Sequence, residues 1–326
     1  MEKISIITQR DISIINGSTV RPKWQIKALK KIDFENVEIV DNFTKLKLNE
    51  VKNNLIHAHQ FSGRLLEKEK YFVDIHGLEY VQSKNLSNGY PVTSWKKYGY
   101  IAKSIFYKKV EKKLFKNALH LICSSEDIQE KVDKIQNSTL VRNAVFIDEF
   151  VPTENSELDI VLVGPFLPGT INFEGLDIIL KIVKKFPKIK FTFIGKTNEF
   201  FRNQLNYKNT EFLGVIDNYK NTLRKYSVLF APYPNYARYL GSKNKFLEAA
   251  ACKMPIITTS AGAVDFRNDL LSIGNTTKEI SNLLEVLMDE NVRKEAGNKL
   301  RNEIEEKYNA EIEIKKLVKL YNEYIK

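Results

Sequence analysis

Cysteine is nearly absent from this chain of 326 residues, which holds only Cys123 and Cys252, far apart and each in apolar surroundings. Two isolated thiols build no disulfide scaffold, so both read as reduced core residues, which favours a cytoplasmic address. Long apolar runs are missing as well. Nothing approaches the roughly 20 residues that span a bilayer, and the start, Met1-Glu2-Lys3-Ile4-Ser5-Ile6-Ile7, enters a strand with no signal-peptide core. No G-x-G-x-x-G occurs, which removes the case for a dinucleotide redox cofactor. Acid is in deficit: 51 Lys and Arg stand against 40 Asp and Glu, a formal net charge of +11. That excess suits an anionic partner, and a nucleoside diphosphate, lipid phosphate, a membrane surface or nucleic acid would each satisfy it. The lack of a recognition motif or aromatic-basic module argues against nucleic acid.

What is present is ordinary for a globular protein: 43% hydrophobic and 28% charged residues, with length for two domains. Short apolar runs at 3–8, 36–41, 54–57, 71–75, 119–123 and 138–142 alternate with helical or loop segments, beginning with a predicted helix at 22–31. This rhythm predicts a parallel sheet with crossovers. The pattern lapses from Phe146 to Glu157, an interdomain linker, and a second series opens at 158–164. It continues through a helix at 174–186, strands at 190–195 and 227–231, a helix and a strand at 255–259; the end, 276–326, is helical and charged. The expected architecture is α/β, two Rossmann-like domains facing an interdomain cleft, with boundaries at 1–148 and 158–308.

The stretch Gly241 to Thr259 carries the most chemistry. Ser242 is a plausible N-cap, followed by Lys243, Lys245, an Ala-rich helical run and then Met254-Pro255 before a β-branched strand. The helix start would present free N–H groups beside two lysines, an anion site suited to phosphate. Lys245 and Glu248 are three apart and share a face, setting a carboxylate one turn from that end. Phosphate at one end and a carboxylate able to accept sugar hydroxyls at the other is what a nucleotide needs.

Lys245-x-x-Glu248-Ala-x-Ala-x-x-x-Pro255-Ile-Ile-x-Thr259 resembles the C-terminal signature of family 4 glycosyltransferases, which have the GT-B fold. Leu240 stands where many members carry a further Glu, so the resemblance is to a Lys-x-x-Glu subset. It implies a retaining, generally metal-independent hexosyltransferase that needs no cofactor beyond its nucleoside diphosphate-sugar donor and acts on a glycan, polysaccharide or lipid-linked acceptor. By the same resemblance Glu248 holds the ribose, Lys243 and Lys245 the diphosphate, Gly17 the close backbone approach, and His76 in His76-Gly77 the sugar or incoming hydroxyl. The last helix, 309–326, would cross back to the first domain through Ile312, Ile314, Leu317 and Leu320. In the second domain's first loop, members have Arg after the Gly and Lys at the next helix, where this chain has Gly164-Pro165 and Glu174-Gly175. Either activity is lost or Lys196, Arg238, Lys243 and Lys245 supply the charge. A catalytically silent GT-B-like partner subunit and a nucleotide-sugar epimerase stay open beside the transferase.

Three features have a bland reading next to a functional one. His57 and His59 would face one side of a strand, yet no acid or thiol with ligand spacing accompanies them, so metal is not expected and His59 is placed on the acceptor side. Tyr233, Tyr236 and Tyr239 could close a core or stack on a base. The segment 96–116 has eight lysines against Glu111 alone, with Phe106, Val110 and Leu114 at four-residue spacing. It predicts an amphipathic helix, either a solvated face or one that docks on an anionic membrane from the cytoplasmic side.

Overall fold

A computed structural model describes residues 3–13, 17–66, 69–153, 156–238, 243–264, 266 and 268–325. The chain divides into two compact units: Met1–Phe146 with Leu240–Asn244 and Tyr308–Lys326, and Ile147–Tyr239 with Lys245–Lys307.

The first unit runs β1 (Ile4–Ile7), α1 (Gly17–Lys31), β2 (Val37–Val40), α2 (Leu48–Val51), β3 (Leu55–His59), β4 (Tyr71–Ile75), α3 (Glu79–Ser87), α4 (Trp95–Asn117), β5 (His120–Cys123), α5 (Glu126–Val132) and β6 (Ser138–Leu140). The second runs β7 (Asp159–Val163), α6 (Ile171–Glu174), α7 (Leu176–Lys185), β8 (Lys190–Ile194), α8 (Glu199–Gln204), β9 (Thr210–Gly214), α9 (Tyr219–Leu223) and β10 (Val228–Ala231). It closes with α10 (Asn244–Ala251), β11 (Ile256–Thr258), β12 (Ser272–Ile273), α11 (Thr277–Val286) and α12 (Glu290–Lys307), after which α13 (Ala310–Tyr324) returns to the first unit.

Each unit holds one six-stranded sheet, ordered β2-β1-β3-β4-β5-β6 and β12-β11-β10-β7-β8-β9, with every pairing parallel. The central strands β1, β3, β4 and β10 are buried along their whole length, as parallel strands covered on both faces are. In both sheets the order reverses beside the first strand of the unit, and ligands of such folds bind outside the carboxyl ends there. These are the two Rossmann-like domains expected. Both cysteines are buried and unpaired, and burial pushes each thiol up to about 12.

α13 is part of the first core. Ile314, Leu317, Leu320 and Tyr321 are buried with Ile4, Ile6, Trp24 and Phe72. Its N-terminus is fixed by Asn309, which caps it, and by paired backbone bonds between Val145 and the 308–310 turn at 3.0 Å. Glu313 also accepts from the Arg142 N–H at 2.8 Å. Ile312, expected on this apolar face, is exposed, because the inward stripe passes through Glu313 and Ile314 instead.

Two helices differ from expectation. α1 begins at Gly17, five residues before the predicted start, and carries Pro22 inside it. In α4 the inward face shares only the end of the Phe106, Val110, Leu114 line, with Val110 half-buried. Ser104 Oγ donates to the Tyr80 carbonyl at 2.8 Å, Glu111 and Leu114 are buried, and Phe106 is exposed. Glu111 Oε1 accepts from the Glu79 N–H at 2.8 Å and so caps α3; burial pushes its carboxyl up to about 8.

Candidate functional site

At the carboxyl edge of the second sheet, β7 ends at Val163 and turns at Gly164, whose φ of +146° is open only to glycine. A Cβ there would lie 2.1 Å from the Asn172 amide nitrogen, and one at Gly195 (φ +127°) 2.2 Å from the Gly164 carbonyl. The two glycines let the loops after β7 and β8 meet. Into this corner α10 sends Lys245. Its Nζ donates to the Val163 carbonyl at 2.7 Å and to Asn172 Oδ1 at 2.5 Å, and lies 5.2 Å from the Tyr233 ring centroid. A cation therefore reaches the loop that opens with Gly164-Pro165, delivered by another helix.

One turn along α10, Glu248 is half-buried. Its Oε2 accepts from the Tyr219 hydroxyl on α9 at 2.8 Å, while Oε1 takes no hydrogen bond among the described residues. Burial raises the Glu248 carboxyl, opposed by that bond and by Lys220 and Lys245; burial and the Glu248 charge hold the Tyr219 phenol well above its ordinary value. An ammonium and a carboxylate with a spare oxygen thus sit on one helix face at the ligand-binding edge of a parallel sheet.

The other candidates spread out. Lys196 and Arg238 are exposed, Lys196 just past β8 with its carbonyl accepting from the Phe166 N–H at 2.8 Å. Lys243 is 9% exposed and groups with the first unit. Ser242 and Tyr239 lie outside the described residues. Glu174, in the place of the missing lysine, accepts from the Tyr236 hydroxyl at 3.0 Å, and Tyr233 is buried against Asn172. Gly17 is the first residue of α1 rather than part of the loop before it.

In the first unit the carboxyl ends of β3 and β4 bring together a buried polar network. Asp74 receives Arg21 Nε at 2.5 Å, Gln25 Nε2 at 2.8 Å and His57 Nε2 at 3.1 Å. Arg21 also donates to Asn143 Oδ1 at 2.9 Å and to the Val141 carbonyl at 2.8 Å. His57 Nδ1 meets the Tyr321 hydroxyl at 2.5 Å. The guanidinium holds Asp74 well below the usual carboxylate range against the opposing effect of burial.

His57 and His59 do share a face, stacked at 4.6 Å, and His59 Nδ1 lies 2.8 Å from His76 Nε2. His59 is buried at 3% exposure, and its Nε2 has no partner among the described residues. That orphan assigns the shared proton. If His59 accepted at Nδ1, its Nε2–H would be a buried unsatisfied donor, which is costlier than a bare acceptor. Among the described residues this favours the tautomers in which His59 donates to His76 and His76 holds its proton on Nδ1. Burial lowers His59 well below its ordinary value and His76 to about 3, so both rings are neutral at pH 7.

Donor atoms of His57, His59 and Asp74 fall within 4.8 Å of one another, a grouping the spacing did not reveal because Asp74 comes from the neighbouring strand. The set does not fit a metal: the Asp74 oxygens already serve a guanidinium, an amide and an imidazole, and a dication there would face Arg21. Sequence reasoning also missed Tyr219, Asn172, Arg21 and Tyr321. For Asp74 a signal existed, two residues before His76 on the strand that ends at Ile75; for Tyr321, 264 residues from His57, none did.

The class these units define is the GT-B architecture, and the comparisons carry it further. Residues 157–289 match the family model described as glycosyl transferases group 1. No curated protein matches the chain. Among solved structures, sucrose-phosphate synthase from Thermosynechococcus elongatus is similar at 15% identity and TM-score 0.77, covering 99% of each chain. HepE from Anabaena, in complex with UDP and glucose, is similar at 11% identity and TM-score 0.71 over 99% of this chain and all of that one (100%). WaaG, a glycosyltransferase involved in lipopolysaccharide biosynthesis, is similar at 10% identity and TM-score 0.70 over 97% of this chain and 99% of that one. At these identities the likeness shows the fold.

Proposed function

We propose that the protein is a family 4-like glycosyltransferase of the Lys-x-x-Glu subset, moving a hexosyl group from a nucleoside diphosphate-sugar to a hydroxyl of a glycan, polysaccharide or lipid-linked acceptor in the cytoplasm, with retention at the anomeric carbon. The observation that carries it is the pairing on α10: Lys245 in the Gly164 turn, where a diphosphate would need charge, and Glu248 with Oε1 available to a pentose hydroxyl. The match of residues 157–289 and the UDP and glucose bound by HepE support it. Lys196, exposed and joined through its carbonyl to the Phe166 N–H, adds positive charge beside Pro165, and Arg238 and Lys243 are further candidates.

In the reaction the bond from anomeric carbon to phosphate oxygen breaks, the bond to the acceptor oxygen forms on the same face, and the acceptor proton passes to the departing phosphate, so no enzyme base is required. Stabilising that departing charge is the main task of the protein, and Lys245 does it. His76, neutral and with Nδ1–H free of the His59 contact, hydrogen-bonds the sugar or incoming hydroxyl.

A thermal-shift screen of nucleoside diphosphates tests the reading first, since a ligand of the folded state raises its stability in proportion to affinity. One should bind, and its hexose conjugate should be slowly hydrolysed by wild type and not by Glu248→Gln. If none binds, the proposal fails. Binding without turnover would favour a silent partner subunit, a reading the acidic Glu174 at the cation position supports; a changed sugar without acceptor would mean an epimerase.

A further inference from the structure

α4 carries two opposite faces. The inner one is fixed to α3 through Ser104 and Glu111, and Leu114 on it is buried, its carbonyl accepting from the Tyr71 hydroxyl at 3.2 Å. On the outer one Trp95, Tyr98 and Ile105, then Lys109, Lys112 and Lys116, follow at spacings of three, four and seven residues, which is one stripe of a helix. Trp95 is 77% exposed and Phe106 60%; Ile105 and the loop residue Val92 are exposed too. A tryptophan left in water on a well-packed helix is the informative kind of exposure. Among the described residues none of Lys108, Lys109, Lys112, Lys113 and Lys116 forms an ion pair. The segment's one acid, Glu111, points inward, so nothing on the outer stripe offsets its charge.

We propose that the outer face of α4 docks on an anionic lipid bilayer, with Trp95, Tyr98, Ile105 and Phe106 seated among the headgroups and acyl boundary and the lysines of its second half against lipid phosphates. The complementarity selects this occupant. Aromatic and aliphatic side chains graded into a row of lysines suit an interface that is apolar below and anionic at its surface. No described helix is long and apolar enough to cross a membrane, so the contact is peripheral. It stands independently of the sugar-transfer reading.

The test is sedimentation of the full chain with vesicles of phosphatidylcholine alone and of phosphatidylcholine with phosphatidylglycerol. Wild type should sediment only with the anionic vesicles and be released by high salt. Trp95 emission should shift to the blue on binding; Trp24, the other tryptophan, is buried and stays constant. Replacing Lys109, Lys112, Lys113 and Lys116 with Gln should weaken binding roughly five-fold per lysine, and Trp95→Ser with Ile105→Ser roughly ten-fold or more. All six positions are exposed, so circular dichroism and melting should not change. No sedimentation, equal sedimentation with neutral vesicles, or a static Trp95 spectrum would overturn the proposal. So would a dimer in solution that Trp95→Ser dissolves, which would make this face a contact between copies.

Discussion

The Tyr219 hydroxyl donates to Glu248 Oε2 at 2.8 Å, tying α9 to α10 and leaving Oε1 without a hydrogen bond among the described residues. Glu248→Gln keeps an oxygen for that bond and should fold normally, yet lose roughly ten-fold or more of nucleoside diphosphate affinity, because a charged acceptor is replaced by a neutral one. Tyr219→Phe should cost about 1–2 kcal/mol of stability and weaken the nucleotide less than Glu248→Gln does. Calorimetric titration beside urea denaturation checks both. Unchanged affinity in Glu248→Gln would remove the carboxylate from the site.

Lys245 is the cation of the Gly164 turn. Lys245→Met should abolish measurable nucleoside diphosphate binding while nucleoside binding, compared by the same titration, changes little. Equal losses for the two ligands would instead mean that the lysine holds the loop structure and not the phosphates.

In the first unit, Asp74→Asn should be among the most damaging single changes, about 3–5 kcal/mol, because it leaves the Arg21 guanidinium buried without its counter-charge. Arg21→Met combined with Asp74→Asn should recover part of the loss, since the uncompensated charge is then gone. Urea denaturation of the four proteins of that cycle gives the coupling directly.

Stability against pH should show two opposite slopes. His59 and His76 have folded pKa values below their unfolded 6.5, so the unfolded chain binds more protons at acid pH. Their contribution is complete above pH 6.5 and declines on acidification by about 1.4 kcal/mol per pH unit for each ring until that ring protonates in the folded state, for His76 at about 3. Glu111 works the other way: raised from 4.5 to about 8, it favours the fold at acid pH and loses that advantage as pH rises between those values. Melting temperatures across pH 5–9 should therefore rise at the alkaline end in Glu111→Gln, which can still accept the Glu79 N–H, and flatten at the acid end in His59→Phe.

Much of this architecture was legible because strands buried on both faces announce themselves as short β-branched runs, and α10 because its alanine-rich composition marks a helix whatever surrounds it. Lys245 and Glu248 followed from helix spacing alone. The network at Asp74 was not legible, since Arg21, Asn143 and Tyr321 come from segments far apart in sequence and only the closing of a sheet unites them. The face of α4 was misjudged for a related reason. Phe106, Val110 and Leu114 make a plausible inward stripe until α3 is in place; its carbonyl at Tyr80 and its N–H at Glu79 then claim Ser104 and Glu111, which turns Phe106 outward.

Because α13 supplies Tyr321 to His57 and four apolar side chains to the first core, that core stays open on the ribosome while residues 147–307 are made. At about 5–20 residues per second the delay is of the order of ten seconds or more. The N-terminal sheet must survive that interval with its hydrophobic flank bare, so nascent chains halted before codon 310 should be the species that chaperones capture.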